Sequence, residues 1–247
     1  MSPIDKGNAK WYHITPMLST IRALPRTIIN TALELVYPRS CRVCGGAITS
    51  AEKLSLCEAC HKKIRYDRPL FLASAGKAGY YFDRVRSATV YEGVMRECIH
   101  KFKYNGSLSL EALFADLMTN FAEKYMDMRC FDFIIPVPLS TAKLRERSFN
   151  QAYILASAVS RKFKIPCVAN NLTRVKAGRP QVDLAKKARL KDIEGAFRLK
   201  RPALLKDKSV LLIDDVFTTG ATVNECSKVL KRSGVKYIEV LTLAQGR

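Results

Sequence analysis

The chain has 247 residues, and 48% of them are hydrophobic, so it can bury a packed core and wholesale disorder is excluded. Lysine and arginine number 42 against 22 aspartate and glutamate. The formal net charge of +20 indicates acidic partners (polyphosphate ligands, nucleic acid or an anionic membrane face), with a basic solvated surface as the plain alternative. No run of about 18 apolar residues and no secretory signal pattern occurs, which predicts a cytoplasmic protein without a membrane-spanning helix.

The first 37 residues are predicted to form an amphipathic helical segment. Apolar side chains recur at helical spacing between positions 18 and 36, and Pro38 ends the pattern. We expect this apolar stripe to pack on a neighbouring domain, although a partner or a membrane face fits the same pattern. Residues 38–66 form the next unit, and residues 67–83, rich in glycine, alanine and aromatics, are interpreted as a linker.

Four of the eight cysteines stand in two C-x-x-C pairs, namely Cys41, Cys44, Cys57 and Cys60. Four thiolates on two tight turns form a tetrahedral site for Zn²⁺, and a closed site of this kind is structural rather than catalytic. Disulfides or a redox pair are the alternatives, which a cytoplasmic location disfavours. We therefore predict a zinc ribbon over residues 38–66. The basic tail that follows it, with Tyr66 available for stacking, fits either nucleic-acid binding or a solvated surface.

From residue 84 to 247 strands and helices alternate. Strands are predicted at 86–91, 132–137, 210–213 and 237–243, with a weak strand at 167–172. Helices are predicted at 93–104, from Ser107 or Ser109 onward, at 149–163 and at 221–232. This order indicates the α/β class, with a mostly parallel sheet flanked by helices.

Residues 210–222 combine a four-residue apolar run, two acids and a Thr-Thr-Gly-Ala-Thr turn. Asp214 and Asp215 follow the apolar run, at the strand end where ligands bind in open α/β sheets. Hydroxyls and N–H groups at the helix start favour an anion, and Gly220 allows close backbone approach. The two carboxylates would repel phosphate, but they can accept hydrogen bonds from sugar hydroxyls or hold Mg²⁺. The loop therefore predicts a phosphorylated-ribose site, whereas an ordinary strand-loop-helix explains only one acid and one threonine.

Two basic stretches could complete that site. The strand at 132–137 runs into a Pro-rich loop followed by Lys143, Arg145 and Arg147, which could hold a pyrophosphate. Such a cluster is unfavourable near a helix N-terminus unless an anion offsets it. The irregular segment 174–198 is predicted to be a mobile lid, or alternatively a solvated or nucleic-acid-binding loop. Its candidate residues are Arg174, Lys176, Arg179 and Arg189.

The acid-acid and Thr-Thr-Gly pattern resembles the signature of the type I phosphoribosyltransferases. The resemblance implies that Asp214 and Asp215 act in catalysis by contacting the ribose, with Mg²⁺ nearby, and that residues 218–222 hold the 5-phosphate. It implies that phosphoribosyl pyrophosphate is bound by the following set: Asp214, Asp215, Val216, Thr218, Thr219, Gly220, Ala221 and Thr222.

Further motifs resemble the ComF family, in which zinc-ribbon cysteines precede a phosphoribosyltransferase domain. They are Pro-Val-Pro-Leu at 136–139, Arg-Glu-Arg-Ser-Phe-Asn-Gln at 145–151, and Gly-Ala-Phe at 195–197. Two departures stand out: Ser148 replaces the usual glycine, and Gly178 stands where threonine is frequent. The resemblance implies a type I phosphoribosyltransferase fold over 84–247, with a small hood near 84–106 and an N-terminal Cys₄ ribbon.

Two functions are implied by this resemblance. The first, which we favour, is an enzyme that transfers phosphoribose from phosphoribosyl pyrophosphate to an acceptor and releases pyrophosphate, with Mg²⁺ as cofactor. The second is a cytoplasmic factor that handles single-stranded DNA in natural competence, in peripheral contact with a DNA-uptake machinery. In that case the site senses a ligand or holds a nucleic-acid 5-phosphate. A non-catalytic transcriptional regulator on the same fold is a weaker third interpretation.

Overall fold

A computed structural model of the chain describes residues 40–48, 55–66, 79–104, 108–175 and 193–246. The predicted N-terminal helical segment 1–37 lies outside the described residues. So do Lys176, Arg179 and Arg189 of the predicted lid, as well as Gly178. The loop candidate Arg174 is described.

Strands and helices alternate along the described chain. The strands are β1 Arg84–Val90, β2 Phe133–Pro136, β3 Leu172–Arg174, β4 Phe197–Leu199, β5 Ser209–Phe217 and β6 Tyr237–Gln245. The helices are α1 Glu58–His61, α2 Gly93–Tyr104, α3 Glu111–Tyr125, α4 Thr141–Arg147, α5 Gln151–Phe163 and α6 Ala221–Arg232. Short 3₁₀ turns lie at Leu108–Leu110, Met128–Cys130 and Pro202–Leu205.

The main sheet has four parallel strands in the order β1-β6-β5-β2. Successive side chains of a strand point to opposite faces, and β5 uses both. Leu211 and Ile213 pack in the cluster that includes residues of α2, α3 and α5. Val210 and Leu212 pack in the cluster that includes residues of α6. All four side chains are fully buried, which explains the uninterrupted apolar run in the sequence.

Predicted and observed elements agree best where the apolar pattern is strong. Gly93–Tyr104 and Ala221–Arg232 are helices with the predicted bounds. β5 extends through the two acids to Phe217 because its backbone continues to pair with β6 up to Gln245. Residues 84–104, around which a hood is expected, form the edge strand β1 and helix α2.

Two predicted elements are wrong in detail. The weak strand at 167–172 is reduced to one bridge between Cys167 and Ile134, and the strand β3 that follows pairs antiparallel with β4 in a separate small sheet. The helix predicted from residue 149 begins at Gln151 and is preceded by the separate helix α4. Ser148 ends α4 in the left-handed region, with φ of 64°. Glycine adopts that conformation without strain, which fits the glycine that is usual at this position in the family, whereas Ser148 adopts it at a cost.

Within the described ranges, every helix is too short or too polar to cross a bilayer.

Candidate functional site

The two adjacent acids lie at the carboxyl end of β5, near the middle of the sheet. Asp214 is half-buried, and one of its carboxylate oxygens accepts a hydrogen bond of 2.9 Å from the backbone N–H of Asp215. Burial, and then the negative charge of Asp215, raise the pKa of the Asp214 carboxyl to about 7. The side chain of Asp215 is 13% exposed, and its Oδ2 lies 2.8 Å from Nζ of Lys103. One acid of the pair is therefore neutralised by a lysine, and the other binds a proton easily.

The loop after β5 depends on a glycine at its last position. Gly220 has φ of 72° and is the N-cap residue of α6. A Cβ atom there would lie 2.7 Å and 2.9 Å from atoms of the Phe217 ring and 3.4 Å from Tyr80. Glycine is thus required twice, once for the backbone conformation and once for the lack of space.

The same loop presents the hydroxyls of Thr218, Thr219 and Thr222 around the start of α6. Thr218 and Thr219 are exposed, and Thr219 Oγ1 accepts a hydrogen bond of 3.4 Å from the N–H of Ala221. α6 has 12 residues and no acidic side chain in its first turn. Free N–H groups and the helix dipole at this end favour an anion.

The predicted pyrophosphate residues lie on the neighbouring strand connection. β2 pairs with β5, and the N–H of Val137 donates to the carbonyl of Ile213 at 2.8 Å, so the loop after β2 emerges beside the acids. Ser140 begins α4 by accepting a hydrogen bond from the N–H of Lys143. The basic cluster was predicted to lie near a helix N-terminus, where it would need an anion. This is wrong for two of the three cations, because Arg145 and Arg147 lie in the last turn of α4. Cations there are favoured by the helix dipole itself.

Arg147 is held between two helices. Its Nη2 donates to the hydroxyl of Tyr104 at 3.3 Å, its guanidinium lies 5.1 Å from the centre of that ring, and its Nη1 donates to Gln151 Oε1 at 3.3 Å. Two N–H groups of this pair, at Arg147 Nε and Gln151 Nε2, are buried and have no acceptor among the described residues. Buried donors of this kind normally bind an oxygen atom of water or of a ligand.

Cationic side chains from three parts of the fold act on Lys143. Loss of hydration is the main reason why its pKa is lowered, and the charges of Arg147, Arg174 and Lys103 lower it further, while Asp215 raises it. Lys103 and Lys143 thus lie close to the carboxyl pair, and Arg147 and Arg174 lie close to Lys143. Such an excess of positive charge suits a ligand with several negative charges.

The structure therefore brings the acids, the Thr-Gly loop, Lys143, Arg147 and Arg174 to one edge of the sheet. Arg145 is exposed on α4, and among the described residues it makes no hydrogen bond or ion pair with the acids. Sequence reasoning missed Lys103, Tyr104 and Gln151. Gln151 stood in a quoted motif, whereas the two α2 residues carried no signal, because a lysine and a tyrosine at the end of a helix are ordinary.

The four predicted zinc ligands come together beside α2, away from the acidic pair. The Sγ atoms of Cys41, Cys44, Cys57 and Cys60 all lie within 4.8 Å of one another. The first knuckle is closed by hydrogen bonds from the N–H of Cys41 to Gly46 and from the N–H of Gly45 to Cys41. Four sulfur ligands at this mutual distance fit a tetrahedral Zn²⁺ site.

The electrostatics of the cysteine cluster also favour a metal. Burial alone would raise the pKa of the Cys41 thiol, but hydrogen bonds from the backbone of Cys44, Cys57 and Val43 outweigh it and lower the pKa to about 6. The pKa of Cys60 is raised to about 12, mainly by burial and then by its three sulfur neighbours. Deprotonation of the remaining thiols is disfavoured without a cation, so binding of a divalent metal would release protons from the cluster.

The ribbon packs directly against α2 and its neighbours. Cys41, Leu56, Cys60 and Ile64 belong to the same buried cluster as Cys98 of α2. Lys101 of α2 donates to the carbonyl of Arg42, and Arg42 Nε donates to Ser109 at 3.1 Å. Helix α2 therefore contacts the ribbon through Cys98 and Lys101 and the acidic pair through Lys103.

Comparison with protein families gives a match of residues 150–247 to the phosphoribosyl transferase domain. That range includes the acids, the Thr-Gly loop and Arg174. With the parallel sheet, the match shows the type I phosphoribosyltransferase fold.

Curated relatives match a larger part of the chain. Competence protein F of Haemophilus influenzae is 31% identical over 225 residues, which cover 83% of this chain and 96% of that protein. DNA utilization protein YhgH of Salmonella typhimurium is 26% identical, over 86% of this chain and 93% of that protein. Competence protein ComFC of Bacillus subtilis is 31% identical over 60% of this chain and 58% of its own length.

Proposed function

We propose that this chain, which belongs to the ComF family, binds phosphoribosyl pyrophosphate together with Mg²⁺ at the carboxyl end of β5. One observation carries the proposal. Two carboxylates and four cationic side chains converge beside a helix N-terminus, at the edge of the sheet where the loops after β2 and β5 meet. A ligand that fits such a site has hydroxyls that can donate to the carboxylates and several phosphates that can contact the cations and the helix N-terminus.

Each part of the site has a task in this proposal. Asp214 and Asp215 accept hydrogen bonds from the ribose hydroxyls, and the loop Thr218–Thr222 binds the 5-phosphate through N–H and hydroxyl groups. Val216 and Ala221 complete the loop backbone. Lys143 and Arg147 contact the pyrophosphate, and Arg174 adds a further positive charge beside Lys143.

The acid pair fits Mg²⁺ by its chemistry, because paired carboxylates next to a phosphate ligand are the protein oxygens that this cation prefers. When bound, Mg²⁺ would neutralise charge on the pyrophosphate. The four cysteines would hold Zn²⁺ as a structural ion, and a reduced thiol cluster is in keeping with a cytoplasmic location.

If the bound ligand is turned over, the site performs a phosphoribosyl transfer. A nucleophilic atom of the acceptor forms a bond to C1 of the ribose while the bond from C1 to the pyrophosphate oxygen breaks, and the electron pair leaves with pyrophosphate. The cationic residues stabilise the charge that develops on that oxygen, and the acids keep the ribose in position.

Isothermal titration with phosphoribosyl pyrophosphate and Mg²⁺ tests the proposal. The double variant Asp214→Asn/Asp215→Asn should lose at least about a hundredfold in affinity, because two charge-assisted hydrogen bonds are weakened. Asp116→Asn, on the exposed face of α3, is the matched control and should bind like the wild type. No binding by the wild type, or equal binding by the double variant, would refute the proposal.

A second function, handling of single-stranded DNA in competence, is favoured by the names of the relatives and by one surface. The name of one relative mentions competence, and the name of the other mentions DNA utilization. In this chain Tyr66 is 56% exposed and follows Arg65, Lys62 and Lys63 directly after the cysteine cluster. An exposed ring among cations can stack on a base while the cations contact phosphates.

Binding of a fluorescent oligonucleotide at several salt concentrations tests this second function. We expect affinity to fall steeply as salt rises, and Tyr66→Ala to weaken binding by several-fold while leaving the salt slope unchanged. Tyr125→Ala, an exposed tyrosine on α3, serves as the control. A flat salt response would count against DNA binding.

A further inference from the structure

Helix α2 brings a lysine to the acidic pair from outside both sequence motifs. Lys103 lies in the last turn of α2, and its ammonium is 2.8 Å from Asp215 Oδ2. The pair is well covered, with 17% of the lysine side chain and 13% of the aspartate side chain exposed. The next residue, Tyr104, accepts a hydrogen bond from Arg147 of the basic loop. The end of α2 is therefore a wall of the site and not a distant neighbour.

We propose that Lys103 is a ligand-binding residue, which holds the place of a cation at Asp215 in the free protein and turns to a phosphate oxygen when the ligand binds. The inference rests on the proposed binding of phosphoribosyl pyrophosphate with Mg²⁺. A divalent cation and the ammonium of Lys103 cannot both occupy the same side of Asp215, because like charges at contact distance repel strongly in a covered site.

The surroundings of Lys103 provide the place for a phosphate. The charges of Arg147 and Lys103 both lower the pKa of Lys143, so the three cations lie near one another. Beside them the N–H groups of Arg147 Nε and Gln151 Nε2 are buried with no acceptor among the described residues. Gln151 is 1% exposed and begins the 13-residue helix α5, whose N-terminal dipole adds to the attraction for an anion. Acceptor oxygens are what this corner lacks, and a phosphate supplies them.

Removing the lysine should have opposite effects on the two partners. Without the ammonium of Lys103, no cationic side chain competes for Asp215 Oδ2. Mn²⁺, used as a probe for Mg²⁺, should therefore bind more tightly. Phosphoribosyl pyrophosphate with Mg²⁺ should bind less tightly, because one charge-assisted contact to phosphate is lost. A lysine that only fixes the fold would change both affinities in the same direction or neither.

The test compares Lys103→Met, Lys103→Arg and Lys231→Met in the full chain. Lys231 is the matched control, since it also pairs with an aspartate at 2.8 Å, on α6 at Asp83. Titration should give at least about a tenfold loss of phosphoribosyl pyrophosphate affinity in Lys103→Met, with most of it restored in Lys103→Arg and none of it seen in Lys231→Met. Mn²⁺ alone, measured by electron paramagnetic resonance, should bind several-fold more tightly to Lys103→Met.

The measurements distinguish failure of the proposed function from failure of the proposed role of Lys103. If the wild type does not bind phosphoribosyl pyrophosphate, the proposed function is wrong. If the wild type binds it and Lys103→Met binds equally well, the role of Lys103 is wrong while the function stands. Weaker binding of Mn²⁺ in Lys103→Met would also overturn the inference. Circular dichroism spectra of all three variants check that the fold is retained.

Discussion

The cysteine cluster and the acidic site are built on opposite principles, although one helix contacts both. The described part of the ribbon buries four apolar or cysteine side chains, Cys41, Leu56, Cys60 and Ile64. The acidic site stands on β5 and β6, whose central residues are fully buried on both faces of the sheet. A unit as small as the ribbon cannot bury enough surface to fold alone, so a bound metal and the packing on α2 would both contribute to its stability. The sheet needs no ligand to form, because its central strands are already buried on both faces.

The largest expected effect is on the ribbon. Cys41→Ser should abolish zinc binding, because a closed four-sulfur site loses a ligand and the neighbouring turns lose their anchor. Metal analysis should fall from about one zinc per chain to none, and hydrogen exchange should accelerate within residues 40–66 while β5 and β6 stay protected. Cys130→Ser, at an exposed cysteine, is the control. Equal loss of protection in residues 40–66 and in β5 and β6 would show that the ribbon and the sheet do not unfold independently.

A smaller effect is expected from the turn that holds the acidic site. Gly220 and Gly79 have nearly the same φ, 72° and 71°, but an added Cβ meets the Phe217 ring only at Gly220. Gly79→Ala should therefore cost about 1–2 kcal/mol of unfolding free energy for the left-handed backbone alone. Gly220→Ala should cost about 1–3 kcal/mol more for overpacking. Urea denaturation measures both, and equal losses would show that the loop relaxes around the new methyl group.

The smallest expected effect is a pH dependence carried by Asp214. Its pKa is raised from the usual 3.8 to about 7, chiefly by burial, so the folded protein holds a proton that the unfolded chain releases. The stability that this proton provides is fully present below pH 4 and is lost as the pH rises to about 7. Unfolding free energies at pH 5 and pH 8 should therefore differ more for the wild type than for Asp214→Asn, which cannot titrate. Equal differences would mean that the carboxyl titrates normally.

Sequence patterns predicted the members of the cysteine cluster more completely than the roles of the residues at the acidic site. Spacing alone predicted all four cysteines of the cluster, because a metal site uses few residue types at fixed separations. The apolar run at 210–213 predicted a buried strand for the same kind of reason, and the structure extends it to Phe217. The bounds of α2 and α6 were also predicted, and for α6 the glycine at position 234 marks the end. The roles of the individual acidic-site residues stay predictions until a ligand is measured.

The misses share one physical cause. The short strands β3 and β4 pair with each other across 25 residues or so of chain, and no local pattern encodes such a partner. The division into α4 and α5 depends on one serine in the left-handed region, which local propensity disfavours and tertiary contacts impose.

The sequence by itself determined the chemical inventory of this protein: four zinc-type cysteines, two adjacent acids before a Thr-Gly turn, and an excess of cations. Local spacing carries that information because each motif lies on one short segment. Only the tertiary structure decided which cations face the acids. Packing of α2 against the sheet brings Lys103 to Asp215 across more than a hundred residues, and packing of α4 on the same helix brings Arg147 to Tyr104. Such long-range contacts follow from how buried faces fit together, and no single segment specifies them.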